Sequence, residues 1–147
     1  MGQIGCQRVV LKVAPMDFDR AKMLLHKATI YLSLTKLWGS FVPRLIDYGL
    51  IVRGTLVFLA IEYLEGLTLE PGILFKEIVM AVFRALMAIH SCGVLHGDLH
   101  EGNILVLLDG DVHIIDFGFA EYSSSSRRWD RELHQLKNIL QIRATWV

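Results

Sequence analysis

The stretch "HGDLHEGNILVLLDGDVHIIDFG", residues 96–118, constrains the chain more than any other. Two apolar runs are joined by Asp-Gly, a favoured two-residue hairpin turn, so the strand ends must lie side by side. Asp98 and Asn103 precede the first strand and Asp116 follows the second. The fold-back therefore gathers two carboxylates and an amide oxygen at one end of the hairpin. Polar groups set against buried strands are costly unless they find partners, and oxygen donors of this kind suit Mg²⁺. "DFG" at 116–118 adds an acid at the strand end, an aromatic able to pack inward and a glycine free to turn.

The hydrophobic period changes along the rest of the chain. "RVVLKVA" (8–14) is short and β-branched, with Val9, Leu11 and Val13 on one face and Val10, Lys12 and Ala14 on the other, so it reads as a strand closed by Pro15. From Asp17 to Leu37 the apolar spacing is helical, with Asp17 or Asp19 available as the cap and Gly39 as the stop. Two strands follow around Arg53 and Gly54, the second over 56–63. After a connection ending at "EPG", residues 74–90 carry an apolar face through Phe75, Ile78, Val79, Val82, Leu86 and Ile89, a long buried helix. "AEYSSSSRRWD" reads as a serine-rich loop and "RELHQLKNILQI" as a last amphipathic helix. No internal repeat is present.

Composition narrows the function classes. Fifteen basic and fifteen acidic residues give a formal net charge of zero, which favours neither nucleic acid nor an anionic membrane surface. Acidic and basic residues interrupt the best apolar runs, so no membrane span is expected. Cys6 and Cys92 lack metal-ligand spacing, which makes a reducing intracellular compartment, the cytoplasm by default, the expectation, although spacing alone leaves a disulfide between them open. "MGQIGC" has a glycine after Met1 but Cys6 where a myristoylation signal needs Ser or Thr, and it reads as an ordinary chain start. "DGD" at 109–111 is a turn without the rest of a calcium loop. His96 reads as a packed, hydrogen-bonded loop residue, and His26, His90, His113 and His134 as surface or satisfied core residues.

"HGDL", three further residues to Asn103, a hairpin and then "DFG" resemble the catalytic loop and metal-binding segment of the protein-kinase-like superfamily, in order and separation. "VVLKVA" resembles its phosphate-contacting strand, "LAIEYLEG" its inter-lobe segment, and "ALMAIHSCGVLHGDL" the helix leading into its catalytic loop. The resemblance implies an α+β, two-lobed protein-kinase-like fold in a single partial domain. The small lobe would span 1–63 and be incomplete; the catalytic lobe would span 64–147 and stop after the first helix beyond "DFG". It further implies ATP and Mg²⁺, with Asp98 as the catalytic carboxylate that orients the attacking hydroxyl or accepts its proton. Asn103 and Asp116 would be metal ligands, Lys12 a phosphate contact, and Ile61, Glu62 and Leu64 the adenine site. The acceptor would be a hydroxyl on a protein or a small molecule, with protein serine/threonine transfer first. The alternatives are a nucleotide-binding pseudokinase or truncated kinase with little activity, a small-molecule kinase, and a non-catalytic scaffold.

Three departures bear on that expectation. The helix after Lys12 has no acid beyond Asp19, and Lys27 stands where the family offers a glutamate to pair with the strand lysine. A lysine there would repel Lys12, so phosphate positioning should suffer unless another acid substitutes. No glycine-rich loop can be written before Lys12, since only Gly2 and Gly5 precede it. Gly97 and His100 replace residues usual in protein kinases, and "HGDLHEGN" is similar to the loops of RIO-like, lipopolysaccharide-core and aminoglycoside kinases. The mean hydropathy of +0.43 suggests either an unusually buried chain or a piece of a larger one, in which apolar faces at 74–90 and 132–142 would be partly uncovered and open to self-association.

Overall fold

The computed structural model describes residues 1–69 and 75–141. A four-stranded antiparallel sheet is built from β1 (Gly2–Ile4), β2 (Gln7–Pro15), β3 (Leu45–Ile51) and β4 (Leu56–Glu62), in the order β1-β2-β4-β3. Helix α1 (Phe18–Ser33) lies between β2 and β3 in the chain and packs on this sheet. Asp17 caps it, its Oδ1 accepting from the Arg20 N–H at 3.0 Å. The helix is shorter than its apolar period suggests: a 3-10 turn (Thr35–Leu37) follows the cap at Leu34. Trp38 Nε1 donates back to the Tyr31 carbonyl at 3.0 Å and holds this exit in place.

The second half is mainly helical. β5 (Gly66–Thr68) leads past the undescribed residues to α2 (Lys76–Ser91), and β6 (Val94–Leu95) follows. The expected start of this helix at 74 lies outside the described residues. β7 (Ile104–Leu107) and β8 (Val112–Ile114) form the hairpin, with Ile104 opposite Ile114. The turn is wider than the two-residue form expected. Leu107 N–H donates to the Asp111 carbonyl at 2.8 Å and Gly110 N–H to the Leu107 carbonyl at 3.0 Å, leaving a three-residue loop. A two-residue type I′ turn needs positive φ at both centres; here Gly110 adopts it (φ 89°) and Asp109 does not, so the loop takes the next length up.

The serine-rich segment differs from its reading as a loop. β9 (Glu121–Tyr122) pairs with β6, and α3 (Ser126–Gln141) begins within the serine run, the Ser125 carbonyl accepting from the Arg128 and Trp129 N–H groups. Serines at a helix start satisfy otherwise orphaned amides, so polarity alone misleads there. Ile142, expected as the helix end, lies outside the described residues.

One apolar core runs through both halves. Val82, Leu86 and Ile89 of α2 and Leu136 of α3 are fully buried, together with Ile104 and Ile114 of the hairpin. The inner faces of α2 and α3 are thus covered by each other and by β8. The outer side of α2 does expose Met80 and Met87. Cys6 and Cys92 are both free. Among the described residues no helix is long and apolar enough to cross a membrane.

Because α3 closes the core through Leu136, Leu136→Ala should cost about 2–5 kcal/mol of stability. Urea unfolding followed by tryptophan fluorescence measures this as a lower midpoint at an unchanged slope.

Candidate functional site

The hairpin delivers its polar groups to one place. Beyond the last paired residues, Ile115 N–H donates to the Asn103 carbonyl at 2.9 Å, so Asp116 emerges one residue after the level of Asn103. Asp116 adopts a left-handed backbone (φ 59°), a conformation that costs a non-glycine residue about 1–2 kcal/mol. The Lys12 ammonium lies 3.4 Å from its Oδ1 and offsets part of that cost. Burial alone would raise the Asp116 pKa, but Lys12, Lys27 and the Gly118 N–H together hold it below the usual carboxylate value.

Lys12 and Asp116 line a cleft of about 390 Å³ between the β2–β4 sheet and the hairpin. Ile61, Glu62, Leu64 and Asn103 line it as well, so six of the seven residues singled out in the sequence meet there. Leu105 and Ile115 supply apolar surface on the hairpin side and Val10 on the sheet side. Glu62 is partly committed: its N–H donates to the Arg44 carbonyl at 2.9 Å and its Oε2 accepts from the Arg44 N–H at 3.1 Å. Leu64 lies between β4 and β5 with no backbone hydrogen bond among the described residues.

Asp98, the seventh, joins the cleft through Asn103. The Asn103 amide nitrogen donates to the Asp98 carbonyl at 2.9 Å and lies 3.5 Å from its carboxylate. That bond fixes the amide orientation and leaves the side-chain oxygen for a cation. With the Asp116 carboxylate on the same cleft, the donor set is hard oxygen from two side chains, which fits Mg²⁺ completed by water and phosphate. His100 Nε2 stands 3.6 Å from the Asp98 carboxylate.

His96 is fully buried. Its Nδ1 accepts from the Asp98 N–H at 3.3 Å, so the proton sits on Nε2, which donates to the Ile115 carbonyl at 2.9 Å. Burial holds its pKa below the ordinary imidazole value, and Phe117 packs edge-on against it at 4.9 Å. It joins the Asp98 loop to the strand before Asp116. His90 is likewise a partnered core residue, while His26 and His134 are exposed. His113 departs from the satisfied-core reading: it is buried and neither ring nitrogen makes a hydrogen bond of normal geometry. Burial lowers its pKa, with only partial electrostatic compensation from Glu62 and the Gly39 carbonyl.

Two supports of the site are hidden in the sequence. Glu132 of α3 is buried and accepts from three donors: His90 Nε2 at 2.6 Å, the His96 N–H at 3.2 Å and the Gly97 N–H at 2.8 Å. Its signal was its place four residues before Leu136 and eight before Leu140, on the buried stripe of α3. The second is Gly97, at φ 79°, where an added Cβ would lie 2.2 Å from the Phe119 carbonyl oxygen. The backbone after "DFG" passes directly over this loop, which leaves no space for a side chain.

A cleft with an apolar middle, a lysine–aspartate pair at one end and an aspartate–asparagine loop beside it defines the class of phosphoryl-transfer folds. The comparisons agree: the family model described as "Protein kinase domain" matches residues 43–138. The chain belongs to the protein-kinase-like superfamily, with the α+β fold this implies. Among curated relatives, it is 32% identical over 138 residues to KEOPS complex subunit Bud32 of Pyrococcus abyssi, an alignment covering 88% of this chain and 60% of that one. It is 33% identical over 127 residues to the serine/threonine-protein kinase ste20 of Aspergillus fumigatus, covering 81% of this chain and 15% of that one. Over 103 residues it is 31% identical to CTD kinase subunit alpha of Schizosaccharomyces pombe, covering 64% and 17%. The chain thus spans less than two thirds of these relatives' length, from 60% down to 15%.

Two expectations follow from the supports. Gly97→Ala should destabilise the protein well beyond Gly110→Ala, which meets no neighbour within 4 Å and pays only the left-handed backbone cost of about 1–2 kcal/mol; paired thermal melts measure the difference. For Glu132, burial would raise the pKa, but His90 and the two backbone amides bring it below the ordinary value. A depressed folded-state pKa contributes stability that is complete above the unfolded value of about 4.3 and lost as pH falls through the lower folded value. Glu132→Gln should therefore flatten the acid limb of a Tm-against-pH profile.

Proposed function

We propose that the chain binds ATP in this cleft and transfers its γ-phosphoryl group to a hydroxyl acceptor, in the manner of protein serine/threonine kinases. The observation that carries the reading is the convergence of Lys12, Asn103 and Asp116 at one end of an apolar cleft, with the Asp98 loop attached through Asn103. Lys12 contacts the phosphates, and the strand segment at Ile61 and Glu62 together with the open backbone of Leu64 meets the adenine. Asn103 and Asp116 hold Mg²⁺, which when bound neutralises charge on the phosphates.

In the transfer the bond from the γ-phosphorus to the bridging oxygen breaks and leaves ADP, while the acceptor oxygen forms the new bond. Asp98 orients that hydroxyl and takes its proton. His96 and Glu132 position the loop from behind without touching the reacting atoms. The relatives described as serine/threonine kinases support a protein acceptor. We place the division between a small lobe and a catalytic lobe at residues 63 and 64, so that the cleft falls at their junction. Nothing in the charge pattern calls for nucleic acid or a membrane as a partner.

Lys27 in place of a glutamate favours a second reading: a nucleotide-binding protein with slow transfer. One experiment separates the two. With [γ-³²P]ATP, Mg²⁺ and a generic protein acceptor, wild type should label the acceptor, and Asp98→Asn should lower turnover at least about 100-fold while ATP affinity stays within about twofold. Equal labelling by both proteins would remove Asp98 from the mechanism. Nucleotide binding with no labelling above the variant would establish the second reading.

A further inference from the structure

Lys27 is the residue that sets this cleft apart from its family's pattern, and α1 holds it in a defined place. His26 Nε2 lies 2.9 Å from the Ala120 carbonyl. The Tyr122 hydroxyl is 2.6 Å from the Ser33 hydroxyl and donates to the Thr29 carbonyl at 3.2 Å. Tyr31 packs edge-on against Phe117 with ring centroids 5.3 Å apart. These contacts clamp the helix to the segment around and beyond "DFG", and Lys27 shares its stripe with Leu24 and Tyr31.

The clamp delivers the ammonium to the acid of that segment. Lys27 Nζ and Asp116 Oδ1 each lie 3.3 Å from the point a Cβ on Gly118 would occupy. Lys12 approaches the same Oδ1 to 3.4 Å. None of the ion pairs among the described residues includes Lys27, so a half-buried cation stands beside Gly118, next to the Asp116 end of the cleft, without an ion pair of its own. Lys12 and Asp116 alone make that end neutral, and a polyanionic triphosphate would meet Asp116 and Asp98 with little to attract it. A second ammonium supplies the missing positive charge and three hydrogen-bond donors, on a stem long enough to follow the phosphates.

We propose that Lys27 stands in for part of the divalent cation's charge beside Asp116, so that this cleft binds the polyphosphate of a nucleoside triphosphate with little dependence on metal. The inference rests on the nucleotide-binding reading above and deepens it. Binding is uncoupled from magnesium, whereas transfer still uses it. The two ammoniums flanking Asp116 also repel a divalent ion, which weakens metal binding to the free protein. Lys27 is then a ligand in its own right and not a damaged glutamate position.

Calorimetric titration of the full chain with ATP, once in EDTA and once in millimolar Mg²⁺, tests this. Wild-type Kd should change by less than about threefold between the two conditions. Lys27→Met should weaken binding in EDTA by about tenfold or more, and Lys27→Arg should retain it. Lys27→Glu should make binding depend on magnesium, with the ratio of the two Kd values rising above about tenfold. Thermal melts of each variant establish that the fold is kept, and the Arg variant carries the comparison if Met is poorly folded. Wild-type binding that disappears in EDTA, or equal EDTA affinities for wild type and the Met variant, would overturn the inference and leave the nucleotide reading standing. No ATP binding under either condition by well-folded wild type would overturn both.

Discussion

The carboxylate of Glu132 is the point on which the arrangement of the site depends. A buried charge is tolerated only when its lone pairs are satisfied, and this one accepts from the His90 ring and from two consecutive backbone amides at His96 and Gly97. Hydrogen bonds to a charged group contribute about 1.5–3 kcal/mol each, enough to hold a loop against its own entropy. One residue of α3 thereby fixes the end of α2 and the start of the Asp98 loop together. Gly97 then lets the Phe119 backbone pass close over that loop, and His96 ties it to Ile115. The polar groups at the cleft are placed by atoms that never face it.

The hairpin region was legible in the sequence because its information is local. Two apolar runs on either side of Asp109 and Gly110, with polar residues at their ends, mark a hairpin though not its three-residue loop, and the register puts Asn103 beside the start of "DFG". The helices were legible as elements but not at their ends. Ser126 starts α3 inside a run that polarity marks as loop, and α1 stops at Ser33 although Leu34 and Leu37 continue its apolar pattern. In both places a capping or 3-10 hydrogen bond decides the boundary, and composition does not encode it. The structural roles of Glu132 and Gly97 could not be read for a different reason. Each acts through a partner many residues away in the chain, so its meaning exists only once α3 and the segment after "DFG" are in place.

Lys27 shows the same limit. From sequence it reads as a repulsive substitution beside Lys12, which assumes that the two lysines face each other across an empty space. In the structure Asp116 pairs with Lys12, and the Lys27 ammonium lies near the same carboxylate, beside Gly118. The pKa directions carry the same balance. Burial and Lys12 lower Lys27 while Asp116 raises it, and both lysines help depress Asp116 against its own burial. An acid paired with one ammonium and close to a second takes the place of an acid–base pair between helix and strand.

This arrangement changes what the small sheet must supply. Where a glycine-rich loop closes over the phosphates, backbone amides provide much of their neutralisation; here the tight Gly5–Cys6 turn between β1 and β2 lies toward the Arg8–Glu65 end of the strands, away from Lys12 and Asp116. A side-chain cation anchored on α1 can take over that electrostatic part from a different direction, because Coulomb attraction needs charge near the phosphates and not a particular strand to carry it. It cannot exclude water as a closing loop does, and water around the reacting phosphate weakens every interaction that stabilises transfer. Side-chain charge alone therefore serves to hold a nucleotide, and fast transfer needs water kept from the reacting phosphate as well.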